Sequence, residues 1–252
     1  MGVRFVENPH EDPMIDSKKY PIPRVRHHVS SLLYLPAHQH KHLPAWYPPD
    51  IDQIDWSTVF ANGQPPSVLD IGCGRGGLLL AYAMAHPEVN IFGIEVRDQL
   101  VDWINGVIRG EHLGNAHARW YSVVNGIDFI ATESIDRVFY LFPDPWPKNK
   151  HHKRRAFTVE FLNMLHRVMR PGAVLYLATD RPDVDEYQGQ ILSVHGGFDV
   201  SAPLDDDAWG LPGTTDQQRF CDRKNIPYVR RTARRITVDA TLPRDADAFS
   251  LS

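Results

Sequence analysis

Between residues 67 and 194, short apolar runs alternate with longer stretches of helical periodicity, and this restricts the chain more than any other feature. The apolar runs cover 67–71, 90–96, 118–124, 136–142 and 173–179. Runs of this length, bounded by turn residues, suit strands buried on both faces. Residues 78–86, 98–109, 158–169 and 182–194 read as the helices between them. Pro87 ends the first helix, Asp98 caps the second, Pro171-Gly172 stops the third and Gly196-Gly197 ends the fourth. Alternation of this kind predicts an α/β fold, a parallel sheet covered by helices on both faces. After residue 197 the pattern weakens. Segments 198–202 and 235–240 read as short edge strands around a polar loop containing 214–219.

Residues 1–60 show no sustained period, and Pro21, Pro23, Pro36, Pro44, Pro48 and Pro49 exclude long helices there. The expected organisation is an N-terminal arm over 1–60, packed on the domain or folding on a partner, and one domain over 61–252. No apolar run approaches the roughly 20 residues that cross a bilayer, and the N-terminus lacks the apolar core of a signal peptide. Two cysteines, Cys73 and Cys221, make neither a disulfide framework nor a zinc set. A cytoplasmic protein without membrane or metal partners is expected, as a monomer or homodimer. The net charge of −4 gives no global attraction to nucleic acid, but bases concentrate at 148–155 and 219–235.

Four motifs carry chemistry. The turn Asp70-Ile71-Gly72-Cys73-Gly74-Arg75-Gly76-Gly77 joins the first strand to the first helix. Glycines there let a ligand approach the backbone, and Gly72, Gly74 and Gly77 also satisfy a dinucleotide fingerprint. Asp70 would repel a pyrophosphate; it suits a ligand with an amino group and a sulfonium, such as S-adenosylmethionine. Glu95 ends the second strand about 20 residues further on, where an acid commonly bonds ribose hydroxyls. Asn125 follows the third strand, placed to read an adenine amino group or to serve a turn. The fourth motif is Leu141-Phe142-Pro143-Asp144-Pro145-Trp146-Pro147-Lys148, followed by a basic run to Arg155. An acid, an aromatic ring and a positive patch stand together where an α/β sheet binds ligands. Bases opening a helix oppose its dipole, a cost explained by a phosphate backbone. Trp146 either stacks on a base or packs beneath the site.

Together, Asp-Ile-Gly-x-Gly-x-Gly-Gly-Leu, Gly-Ile-Glu-Val-Arg, Leu-Phe-Pro-Asp-Pro-Trp-Pro-Lys, Lys-His-His-Lys-Arg-Arg and Ala-Thr-Asp resemble the tRNA (guanine-N7)-methyltransferases over residues 67–236. The resemblance implies a class I methyltransferase, Rossmann-like fold, with a seven-stranded sheet whose last strand is antiparallel. It implies methyl transfer from S-adenosylmethionine to a guanosine in the tRNA variable loop. Asp70, Glu95, Asn125 and Asp144 match methyl-donor positions; Gly72, Gly74 and Arg97 belong to the same motifs. Asp144 also matches the catalytic acid. Lys148 and Asp180 match substrate positions, and Lys150, Lys153, Arg154 and Arg155 an RNA-contacting stretch. Thr214 and Gln217 are the best match to a late substrate-binding segment; Gln217 stands where the family carries an acid. Asn125 replaces an aspartate seen in many bacterial members.

Guanine N7 already bears an in-plane lone pair, so the reaction needs alignment more than a base. The alternatives are a methyltransferase for another RNA base or acceptor, a nicotinamide-dependent oxidoreductase using the glycine turn, and a non-catalytic RNA binder. Asp70 and the absence of an evident hydride-transfer constellation weigh against the oxidoreductase.

Overall fold

A computed structural model describes residues 15–25, 29–144 and 156–237. Five parallel strands lead the sheet: β1 (Val68–Ile71), β2 (Ile91–Glu95), β3 (Ala116–Trp120), β4 (Ile135–Leu141) and β5 (Met169–Thr179). The helices between and after them are α1 (Gly77–Ala85), α2 (Asp98–Gly110), α3 (Val159–Val168) and α4 (Pro182–His195). Then come β6 (Phe198–Val200), α5 (Asp206–Trp209), α6 (Asp216–Lys224) and β7 (Val229–Arg235). The seven-stranded order is β3-β2-β1-β4-β5-β7-β6, with β7 antiparallel to both β5 and β6.

Period-two alternation explains the layers. Leu69, Ile71, Phe92, Ile94, Val138 and Tyr140 pack in one core with Phe161 and Leu165 of α3 and Ile191 and Leu192 of α4. Their strand neighbours Val68, Ile91, Phe139 and Leu141 pack in the other, with α1 and with Val101, Ile104 and Val107 of α2. α1, Gly-Leu-Leu-Leu-Ala-Tyr-Ala-Met-Ala, is apolar almost all round and correspondingly buried. Asn115 closes its far end, donating Nδ2 to the carbonyls of Ala83, His86 and Val89 at 2.9–3.1 Å.

Several boundaries depart from the sequence reading. Asp98 is the first residue of α2, not its cap; Arg97 holds the cap position without a side-chain cap bond. β5 starts at Met169, before the Pro171-Gly172 expected to precede it. Ile135 pairs with Met169 but Arg137 with Val174, so the extra residues bulge, with Gly172 at φ +83°. Residues 216–224 form a helix, α6, N-capped by the Thr215 hydroxyl, rather than a loop. The strand expected at 235–240 is β7 at Val229–Arg235 and lies inside the sheet; 238–240 lie outside the described residues. Its four arginines among seven residues hide any apolar pattern. Three of the four charges are met by nearby acids, and Arg234 donates to Gly172 O at 2.9 Å. Arg231 grips Asp185 of α4 at 2.7 and 2.9 Å, Arg230 pairs with Asp206, and Arg235 lies 3.0 Å from Glu133.

Gly93, in the middle of β2, has no room for a side chain. A Cβ there would stand 2.3 Å from Leu79 Cδ1 and 3.0 Å from Cys73 Sγ. Gly93→Ala is therefore expected to destabilise the protein by about 1–3 kcal/mol, read as a lower urea midpoint with an unchanged slope.

Candidate active site

β1 lies between β2 and β4, so the chain winds outward in opposite directions on its two sides. Such a reversal opens a crevice at the carboxyl ends of the strands. Five predicted polar residues meet that edge: Asp70 in β1, Glu95 ending β2, Asn125 after β3, Asp144 after β4 and Asp180 after β5. An open cleft of about 740 Å³ runs along it, lined by Gly72, Glu95, Arg97, Val123, Tyr140 and Asp144 among others.

The glycine turn shapes the floor. Gly72, Gly74 and Gly76 hold φ of +75°, +60° and +71°, which L side chains rarely adopt. A Cβ on Gly72 would meet nothing within 4 Å, so space lies open above its backbone. The Gly74 N–H donates to Glu95 Oε2 at 2.9 Å, tying the turn to the end of β2.

Glu95 is 3% exposed and receives four N–H groups. Besides Gly74, these are the Arg97 backbone N–H (3.1 Å), Nε (2.7 Å) and Nη2 (3.0 Å). The two-pronged guanidinium grip neutralises a carboxylate that burial would otherwise penalise. Asp70 is treated differently. Burial, and then the charge of Glu95, pushes its pKa up from 3.8 to about 7.

The N-terminal arm lies across this edge. Tyr34, in a 3-10 turn, donates its hydroxyl to Asp144 Oδ2 at 2.5 Å. Burial first, and the Asp144 charge next, hold the phenol well above its usual pKa, so it remains a donor. The Ser122 hydroxyl donates to Leu33 O at 2.7 Å. The Ala37 N–H donates to Asn125 Oδ1 at 2.7 Å, which fixes which end of that amide is oxygen. The Tyr47 hydroxyl stands 3.1 Å from the same oxygen and 2.8 Å from Leu35 O, with one proton for the two. Val123 and Val124 line the cleft, while the Asn125 acceptor that an adenine amine would need is engaged by the arm.

Asp180 and Gln217 meet, as Gln217 Nε2 donates to Asp180 Oδ2 at 3.1 Å. Thr214 accepts from Arg219 at 3.3 Å, and Asp216 at the start of α6 lies 3.8 Å from Arg75 of the glycine turn. Gly213 packs so closely on α1 that a Cβ would stand 2.3 Å from Ala81 Cβ. Trp146, Lys148, Lys150, Lys153, Arg154 and Arg155 lie outside the described residues. Sequence reasoning missed Tyr34, Tyr47 and the Ser122 contact. Their partners are 78–110 residues away, and no local signal announces such pairs. Among the described residues, no group of three or more His, Cys, Asp or Glu is arranged for a metal, and no helix is long and apolar enough to cross a membrane.

Residues 64–222 match the family model described as "Putative methyltransferase". A tRNA (guanine-N(7)-)-methyltransferase of Synechococcus elongatus is 35% identical over 215 residues, covering 82% of this chain and 94% of that protein. The chain belongs to the tRNA (guanine-N7)-methyltransferase family. Another member, from Paracoccus denitrificans, is 34% identical over 190 residues, covering 74% of this chain and 79% of that one. The solved 16S rRNA methyltransferase KamB superposes with a TM-score of 0.53 at 16% identity, over 72% of this chain and 91% of that one, and shares the fold. The antiparallel β7 beside β5 is the strand arrangement that the family resemblance implied.

In this family member the raised Asp70 pKa has a measurable sign. The folded chain binds that proton more tightly than the unfolded chain. The stabilisation is complete below pH 3.8 and is lost as the pH rises through about 7. Stability from urea unfolding should fall across that window by at most about 1.4 kcal/mol per pH unit. Asp70→Asn should flatten this dependence.

Proposed function

We propose that this protein transfers a methyl group from S-adenosylmethionine to N7 of a guanosine in the tRNA variable loop. Family membership supports the reaction, and the observation that carries the site is the cleft at the strand-order reversal, floored by open glycine backbone and walled by Asp144. The residues present fit the methyl donor. Space lies above Gly72, Glu95 lines the same cleft, and the buried Asp70 stands two residues before Gly72 on β1.

Bound there, S-adenosylmethionine supplies an electrophilic methyl group on a positively charged sulfur. Asp70 faces the donor's ammonium in this reading, and an adjacent cation would return its raised pKa towards the ordinary range. Glu95 would hold the donor's ribose hydroxyls, its carboxylate oriented by Arg97. Gly72 and Gly74 keep the backbone bare, so that the donor lies close to it. Asn125 keeps the arm against the cleft through Ala37.

Asp144 stands at the mouth. Positive charge passes from sulfur to the guanine ring during transfer, and a fixed carboxylate stabilises that charge without accepting a proton. Lys148, Lys150, Lys153, Arg154 and Arg155 bind tRNA phosphates, while Asp180, Thr214 and Gln217 meet the substrate. The Asp180–Gln217 hydrogen bond supports treating these two as one unit.

Methylation of tRNA lacking 7-methylguanosine, followed by mass spectrometry of the digested nucleosides, tests the reaction. Asp144→Ala should lower kcat about a hundredfold or more; near-wild-type turnover with both substrates saturating would remove Asp144 from the chemistry. The logarithm of the tRNA association constant should fall linearly with the logarithm of salt concentration. Replacing one of the five bases by alanine should flatten that slope by about one unit for each phosphate no longer neutralised.

A further inference from the structure

A second, narrower cavity shares the Tyr34, Tyr140 and Asp144 wall with the main cleft. Phe157, Tyr187 and Gln188 complete it. Three tyrosines and a phenylalanine make its lining largely aromatic. Tyr34 is its one wall contributed by the arm among the described residues.

Gln188 does not belong where it is on packing grounds alone. It lies on the buried stripe of α4, with Val184, Ile191, Leu192 and His195, and is 3% exposed. Its Nε2 is buried and has no hydrogen-bond partner among the described residues. Buried amide donors are almost always paired, so an orphan on a side chain that lines a cavity asks for an acceptor from outside, reached by a turn of that amide. A leucine or methionine would continue the stripe without that penalty.

The geometry points to this cavity as the seat of the target base, with Gln188 as the specificity-determining residue that donates Nε2–H to guanine O6. This rests on the tRNA guanine methylation proposed above. Guanine carries O6 beside N7 on one edge, both as acceptors. A donor that binds O6 therefore also sets the direction of N7. An adenine would turn its own exocyclic amine towards Nε2, leaving two donors face to face and the protein donor still unpaired. The aromatic lining supplies rings on which an unstacked base can stack.

Kinetics of Gln188→Met test this. Methionine conserves length and suits the apolar stripe, so the melting temperature should stay at or above the wild-type value and the Kd for S-adenosylhomocysteine should be unchanged. The kcat/KM for tRNA should fall about tenfold to a hundredfold. With tRNA carrying 2-aminopurine at the methylated position, which lacks O6, wild type and Gln188→Met should turn over at the same reduced rate, because the interaction is already gone. Wild-type kcat/KM in Gln188→Met, or a Gln188→Met penalty on the 2-aminopurine tRNA as large as on guanine tRNA, overturns the assignment while 7-methylguanosine formation by wild type stands. If the wild-type protein forms no 7-methylguanosine in the same assay, the methylation reading itself falls and this inference with it.

Discussion

A sheet covered on both faces leaves polar side chains one place to go, the ends of its strands. Each of β1, β2 and β4 contributes apolar residues to both cores, so a carboxylate in mid-strand would have no water and no partner. Asp70, Glu95, Asn125, Asp144 and Asp180 accordingly gather along one edge. The strand order reverses there, and the same burial that stabilises the domain concentrates its chemistry. Glu95 and Asp70 mark the cost of this crowding. One of the two buried acids is neutralised by Arg97, which supplies three of its four N–H donors; the other, without such a grip, has its pKa raised to about 7.

What could be read from the sequence divides along the same line. Strands β1, β2 and β4 announced themselves because burial on both faces demands continuous apolar runs, and the acids at their ends stand out against those runs. The glycine turn was legible because positive φ at Gly72 and Gly74 selects for glycine. β7 was misplaced because its arginines look like a solvated segment. Three of the four charges are met by Asp185, Asp206 and Glu133, partners that only the folded chain brings near. Asp98 looked like a cap but is already inside α2, an error of one residue that propensity rules do not resolve.

The arm was the least legible part and changes the picture of the site most. Its composition excluded long helices, and among the described residues its helical segments are 3-10 turns at Ser31–Tyr34, Ala37–Gln39 and Trp56–Thr58. Nothing in that composition says that Tyr34 reaches Asp144 or that Ala37 claims the Asn125 acceptor. Through these bonds the arm becomes a wall of the cleft, and residues read as ligands for a small molecule are also fastenings for the chain itself. The base seat inherits the same double use, for Tyr34 is both its boundary and the present donor to Asp144.

The position of β7 has a consequence for how the chain comes off the ribosome. β6 has β7 as its neighbour in the sheet, and β5 turns one edge to it. Until residues 229–235 emerge, β5 therefore presents an unpaired row of backbone groups, and β6 has no sheet to join. Open edges of this kind invite pairing with other chains. The arginines that disguise β7 also fit it for this interval. A strand so densely charged stays solvated while it waits and docks only where acids on α4, α5 and the loop before β4 receive it, so the register of the last pairing is set by charge.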